Sequence, residues 1–377
     1  MGLNTFLKYG VGKDFSYGDP VAIKDITWKD AKAKFIENLR MSINRIPSDS
    51  FSFCGERTAC SFISLINRNT STWSVDIGID TAKISNLLNS ENHMVKVENL
   101  EEILIEINKL SDFPRASLED VYAYSRQKNW GKVGNSGVCE GGAKFLLLGS
   151  DIYNGLMNLA ISRGDYKISK ARKFILPEKI KKSNYENLFD SYTDCFNACI
   201  TIFQDHEIVE FGLEPEKITL KNDTLEDFLI ATFEWGYKTV YEYRTKILAS
   251  HFNMTHASPL INDPEMVDFC LSLPIEMKYC LGNESHILKE SILFSENIKK
   301  HMAQQIYPYI YTTIKSDMQI LVNKYLKDKN RKIFNYLNYD AVQKHLNHYH
   351  PDQRKQYVKR WNLLSLAVWM EIHDGKI

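Results

Sequence analysis

The 377-residue sequence lacks several of the signatures that would settle a function at once. It has no Cys-x-x-Cys pair, and its seven cysteines are an odd, scattered set, which excludes a disulfide framework and a cysteine-rich zinc module. No apolar run reaches the ~18 residues of a spanning helix. There is no excess of either charge: Lys+Arg and Asp+Glu are both 47, so the strong basic field of a nucleic-acid or membrane binder is missing. Internal repeats and low-complexity tracts are also absent. The start, Met1-Gly2-Leu3-Asn4-Thr5-Phe6, has neither the basic nor the apolar region of a signal peptide. It is one residue short of a myristoylation pattern, because Phe6 stands where Ser or Thr is wanted. What is left, 44% hydrophobic and 25% charged, is an ordinary globular composition. We expect a reduced, cytoplasmic protein with room for about two domains.

What is present is alternation. Phe51-Ser52-Phe53-Cys54 reads as a short strand, Gly55 as a tight turn, and Ala59 to Ile66 as a helix start. A helix N-terminus behind a turn offers unpaired N–H groups and the positive end of the helix dipole, a natural anion cradle. Most strand–turn–helix units bind nothing, and a single glycine is weak evidence. Before it, Thr27 with Asp30 makes an acidic capping box, and Ile36, Leu39, Ile43 and Ile46 form one apolar stripe ended by Pro47. Residues 1–26 read as an irregular N-terminal arm.

Thr72 to Ile79 and His93 to Val97 are strand-like, with a short helix over Thr81 to Leu88 between them. Leu100 to Leu110 is an amphipathic helix, and Ser117 opens another with Asp120 as box partner. Gly131 to Gly142 holds five glycines; a mobile nucleotide loop would use them, but we read a flexible surface loop. Ala143 to Leu148 reads as a strand that a parallel sheet buries on both faces. The pattern over residues 27–155 predicts an α/β layer, a doubly wound and mainly parallel sheet with ligands at the carboxyl ends of its strands. From 156 to 377 the strand signal fades, and helices are expected over 183–203, 224–252, 263–272, 286–305, 312–328 and 357–372. Tyr237, Tyr241 and Tyr243 beside Lys238 and Arg244 read as core rather than as a cleft lining. The run from Lys327 to Lys332 reads as a solvated linker. Cys195 and Cys199 are expected to pack, and His345, His348 and His350 would need a further ligand to hold a metal.

These segments resemble the synthetase domain of the asparagine synthetase family, of the ATP-pyrophosphatase (PP-loop) superfamily. The strand Phe51–Phe53 is similar to the family's approach to its pyrophosphate loop, and Ser74-Val75-Asp76-Ile77-Gly78-Ile79 to its adenine-side strand. Phe145 to Asp151 resembles the strand leading to its acidic, Gly-rich turn. Ser258-Pro259-Leu260-Ile261-Asn262-Asp263, Leu271-Ser272-Leu273-Pro274 with Lys278, His286 to Glu290 and Trp361 to Trp369 resemble its later segments.

The resemblance implies an adenine nucleotide alpha hydrolase-like fold and an ATP- and Mg2+-dependent, amide-forming ligase acting on a small carboxylate and an amine. It places Cys54, Gly55, Glu56, Arg57, Thr58, Asp76, Gly78 and Gly149 at the nucleotide, Asp151 at magnesium, and Lys278 and Lys289 as auxiliary cations. Solvated surface charge is the plainer reading of both lysines. The family's N-terminal glutaminase domain has no counterpart before Thr27. Where the family loop reads Ser-Gly-Gly-x-Asp-Ser, this chain has Cys54-Gly55-Glu56-Arg57-Thr58-Ala59. Lys246, Thr255 and Ala257 replace the family's Asp, Glu and Arg, and the catalytic glutamate has no clear equivalent. A catalytically inactive relative that binds or scaffolds a partner, in a homo- or hetero-oligomer, is therefore the alternative. Neither nucleic acid nor a membrane is expected.

Overall fold

A computed structural model describes residues 3–10, 16–45, 51–54, 71–76, 91–115, 117–132, 137–139, 147, 156, 159–160, 163, 189–280, 283–284, 286–291, 314–347 and 353–374. The chain opens with a helix, α1 (Leu3–Tyr9), which corrects the irregular arm expected there. Phe6 and Leu7 are fully buried, so this segment is part of the core. Glu216 holds it: the Asn4 Nδ2 and Thr5 Oγ1 donate to the Glu216 carboxylate at 2.9 and 2.7 Å. After it, Val21, Ile23 and Ile26 lie against the core without regular structure.

Helix α2 (Trp28–Asn44) starts as its capping box predicts, with the Asp30 N–H donating to Thr27 Oγ1 at 3.2 Å. Its buried face is Ala31, Phe35, Leu39 and Ile43, with Ile36 at the margin. Strands β1 (Phe51–Cys54), β2 (Ser71–Val75) and β3 (Glu91–Val95) follow. Then come α3 (Leu100–Lys109), with Leu100, Ile103, Leu104 and Ile107 inside as expected, and α4 (Glu119–Lys132).

The next strand departs from expectation. β4 is Gly137–Cys139, inside the glycine-rich stretch we read as a surface loop. Leu147, the described residue of the expected strand Ala143–Leu148, is helical and buried. A short apolar run satisfies a buried helix as well as a buried strand, and periodicity alone does not separate them.

The helical half begins with α5 (Tyr192–Ile200), shorter than the expected 183–203, of which 183–188 lie outside the described residues. After α6 (Asp205–Glu210), α7 (Leu225–Gly236) opens on the predicted Thr224–Asp227 capping box. It runs on as two π-helical stretches, Tyr237–Tyr241 and Tyr243–Leu248. Tyr241 and Tyr243 are buried, which agrees with the core reading. β5 (Thr255–Ala257) is a strand we did not anticipate, too short for an alternation signal. Helices α8 (Pro264–Ser272) and α9 (Ile275–Lys278) lead to a hairpin, β6 (Tyr279–Cys280) and β7 (Asn283–Glu284). The last helices are α10 (His286–Ser291), α11 (Lys315–Leu326), α12 (Tyr339–Asn347) and α13 (Gln353–Ile372).

β1 to β5 form one sheet in the order β3-β2-β1-β4-β5, and every pairing is parallel. Asn92, Thr72, Phe53, Cys139 and Ala257 stand side by side across it. The second half therefore contributes the edge strand as well as helices. One core gathers α2, α5 and α7 to α10; a second gathers α3, α4 and α11 to α13. Between sheet and helix, Trp73, Val95, Trp130 and Met254 form a third, smaller cluster, with Trp73 edge-on to Trp130 at 6.1 Å.

Candidate functional site

In a parallel sheet whose chain moves outward from one strand in both directions, the crevice lies at the carboxyl ends of the two strands where the direction changes. Here those are β1 and β4. Cys54 extends one residue past the row that ends β4 and β5, while β2 and β3 each extend three. The floor is thus stepped, low between β1 and β5 and raised at β2.

On the raised side Asp76 follows β2, half-buried, its N–H donating to the Val95 carbonyl at 2.7 Å. On the low side β5 runs into Ser258, and this exit is tightly built. The Asn262 side chain accepts from the Ser258 N–H at 2.8 Å, and the Asn262 N–H returns to the Ser258 carbonyl at 2.9 Å. Ser42 of α2 donates to the Pro259 carbonyl at 2.9 Å, and Arg45 pairs with Asp263, the N-cap of α8, at 2.6 Å. The Ser258 hydroxyl is buried and has no hydrogen-bond partner among the described residues. A buried donor left unmade costs about 1–3 kcal/mol, so its retention at a strand end marks this place.

Cys54 is described as the last residue of β1, and Gly55, Glu56, Arg57, Thr58, Gly78, Gly149 and Asp151 lie outside the described residues. Among the described residues no group of three or more His, Cys, Asp or Glu is placed to hold a metal ion. Lys246 is exposed and paired with Glu242 at 3.0 Å. Thr255 and Ala257 are on β5 itself.

Lys278 is not a surface charge. It is fully buried, and its Nζ donates to the Leu271 carbonyl in the last turn of α8 at 2.8 Å. A lysine on the closing carbonyls of a helix is a cap, favoured by the dipole. Burial pushes its ammonium down to about 7, and the same burial raises the neighbouring Cys270 thiol to about 12. Its ammonium is thus engaged with α8, a positioning role. Lys289 lies on α10, its side chain outside the described residues. The Lys278 head gives a clear expectation. The unfolded chain binds more protons at this site between pH 7 and 10.5, so stability rises with pH there, by up to ~1.4 kcal/mol per unit. Urea melts of the wild type against Lys278→Met at pH 7 and pH 9.5 should show the wild type gaining on the variant; an unchanged difference means the lysine is buried as a charged cap.

Of the three clustered histidines, His345 lies among the described residues. His345 Nδ1 is 3.3 Å from Glu207, and its ring lies 5.3 Å from Phe203, while His348 and His350 lie outside the described residues. Cys195 is buried and packs, as expected.

An ion cluster the sequence did not announce stands beside the sheet. Asp120 is buried at the start of α4, with its Oδ2 accepting from Arg115 Nε and its Oδ1 from Arg244 Nε, both at 2.9 Å. Its carboxylate therefore binds two arginines, where a capping box with Ser117 was expected. Arg115 Nη2 also donates to the Thr239 carbonyl at 2.7 Å, and its guanidinium stacks over Tyr243 at 4.1 Å. Wide π turns often occur where a helix meets a functional site. This one connects α4, α7 and the approach to β5.

Residues 227–371 match the family model described as asparagine synthase. The matched region starts within α7, contains the π turns, β5 and the Ser258 exit, and ends in α13. No curated protein matches the chain. Over that region the chain is similar to the synthetase domain of asparagine synthase. No helix among the described residues is long and apolar enough to cross a membrane.

Proposed function

We propose that this chain is an ATP-dependent ligase that adenylates a small carboxylate, releases pyrophosphate, and lets an amine attack to form an amide. The observation that carries this reading is the family match over 227–371 running into the same parallel sheet as β1. We take that sheet as doubly wound, with the nucleotide across the β1/β4 crevice.

In this arrangement the turn after Cys54 holds the phosphates through Gly55, and Arg57 and Thr58 donate where the family has a second glycine and an aspartate. Glu56 opposes them: a carboxylate 4 Å from a phosphate charge costs ~4 kcal/mol near a protein surface. Arg57 offsets it, since a guanidinium fork fits phosphate oxygens. Asp76 and Gly78 flank the adenine side. Because β4 ends at Cys139, Glu140-Gly141-Gly142 is the acidic, glycine-containing segment that follows this strand in sequence. It takes the place first given to Gly149 and Asp151, and Glu140 is the acid to hold Mg2+, which when bound screens the phosphate charge. The chain's own contribution is orientation and charge stabilisation of the departing pyrophosphate.

A second reading is a nucleotide-binding or scaffolding relative without catalysis, and the pair Glu56 and Thr58 favours it. ATP–pyrophosphate exchange with pooled carboxylates separates the two: exchange is expected for the ligase, and binding without exchange for the relative. Arg57→Ala should weaken Mg-ATP binding roughly tenfold, about 1.4 kcal/mol. Unchanged affinity would remove Arg57 from the site.

A further inference from the structure

Away from the sheet, α11 and α13 leave between them a cavity of about 450 Å3. Lys315, Ser316 and Gln319 on α11 and Tyr357 and Arg360 on α13 supply its polar lining, and Met318 and Val322 its apolar wall. That size, and a few polar groups converging over an apolar wall, suit a small ligand.

The charges decide which kind. Arg360 is half-buried, and its Nη2 donates to the Leu346 carbonyl at 2.6 Å. Its Nε is shielded from solvent, with no partner among the described residues. Neither Arg360 nor Lys315 forms an ion pair among the described residues. Asp317, the acid next to this turn in sequence, is not part of the lining. Burial accordingly holds the Arg360 pKa below its ordinary value. A guanidinium that has lost water without gaining a counter-charge is costly, and an oxyanion supplies that charge in the geometry the fork prefers.

We propose that the cavity between α11 and α13 binds a small organic oxyanion, a phosphate or carboxylate head between Arg360 and Lys315 with an apolar body against Met318 and Val322. Ser316 and Gln319 add hydrogen bonds to the head. This site is separate from the nucleotide crevice and does not depend on the ligase reading.

The test is calorimetric titration of the full chain, at low salt, with phenyl phosphate, benzoate and inorganic phosphate. Saturable one-to-one binding of phenyl phosphate or benzoate is expected, tighter than that of inorganic phosphate, and the stronger of the two identifies the head group. Affinity should fall roughly tenfold in Lys315→Met and in Arg360→Lys. Lys315 is exposed, so its variant keeps the fold and carries the test even if Arg360→Lys does not. The proposal is overturned if neither organic probe saturates, or if Lys315→Met binds as the wild type does. It is also overturned if binding is lost in Arg57→Ala and kept in Lys315→Met, which would place the probes in the nucleotide crevice.

Discussion

Asp120→Ala is expected to be the most damaging single substitution in the described part of the molecule, costing about 3–5 kcal/mol. The carboxylate is fully buried between two guanidiniums whose side chains are 1% and 4% exposed. Removing it leaves both cations dehydrated and facing each other. Glu119 offers Arg244 a partial substitute at 3.1 Å, but Arg115 has no second acid among the described residues. A domain's whole stability is about 5–15 kcal/mol, so the loss should appear as a lower melting temperature and as poor soluble yield. Asp120→Asn keeps the shape and loses the charge, and should fall between. The cause can be separated from the size of the effect. Replacing Asp120, Arg115 and Arg244 together with apolar residues should recover much of the loss, because a buried charge set contributes little beyond its own desolvation. If Asp120→Ala alone melts like the wild type, the arginines are not confined as described.

Glu207→Gln comes second, and it has a pH signature. Glu207 lies on α6 and accepts from Lys359 at 2.7 and 2.6 Å, from the Gln204 N–H at 2.8 Å, and pairs with His345. Burial works against its charge, but the His345 and Lys359 contacts outweigh it and hold the carboxyl at about 2. Its folded pKa is below the unfolded value of 4.5, so its contribution is complete above pH 4.5 and is lost as pH falls toward 2. That contribution is ~3 kcal/mol at most. Urea midpoints for the wild type and Glu207→Gln should therefore differ most at pH 7 and converge as the pH is lowered to 3. A gap that does not narrow would mean the glutamate acts through packing alone. The consequence reaches beyond one pair, because α6 joins α1 through Lys8–Asp205, α12 through Lys344–Glu210, and α13 through Lys359.

Local signals in the chain carried most of the helical half. Thr27 with Asp30 and Thr224 with Asp227 announced helix starts because a cap is written in adjacent residues. Leu100, Ile103, Leu104 and Ile107 announced a buried face for the same reason. Strands were legible where five residues carried them, as in β2 and β3. They were not legible where three sufficed, as in β4 and β5, since pairing across the sheet rather than alternation makes those strands. The Gly131–Gly142 stretch misled because glycines usually mark loops, yet Gly137 pairs with both Phe51 and Thr255. Asp120 looked like a capping residue because Ser117 is three residues before it; its arginine partner at 244 is 124 positions away, and no local pattern reaches that far. Lys278 looked exposed because lysines usually are, and the carbonyl that draws it inward belongs to a different helix. Within the candidate site, the order of segments could be read from sequence, and the stepped carboxyl edge of the sheet could not.

We propose that the segment after Cys54 accepts a nucleotide despite Glu56 and Thr58. Calorimetric titration of the full chain with Mg-ATP tests it most directly. One-to-one binding is expected, with a dissociation constant between about 1 μM and 1 mM, about −8 to −4 kcal/mol, and a weaker isotherm for Arg57→Ala. No heat of binding at millimolar Mg-ATP, from a chain whose urea melt is intact, would contradict it.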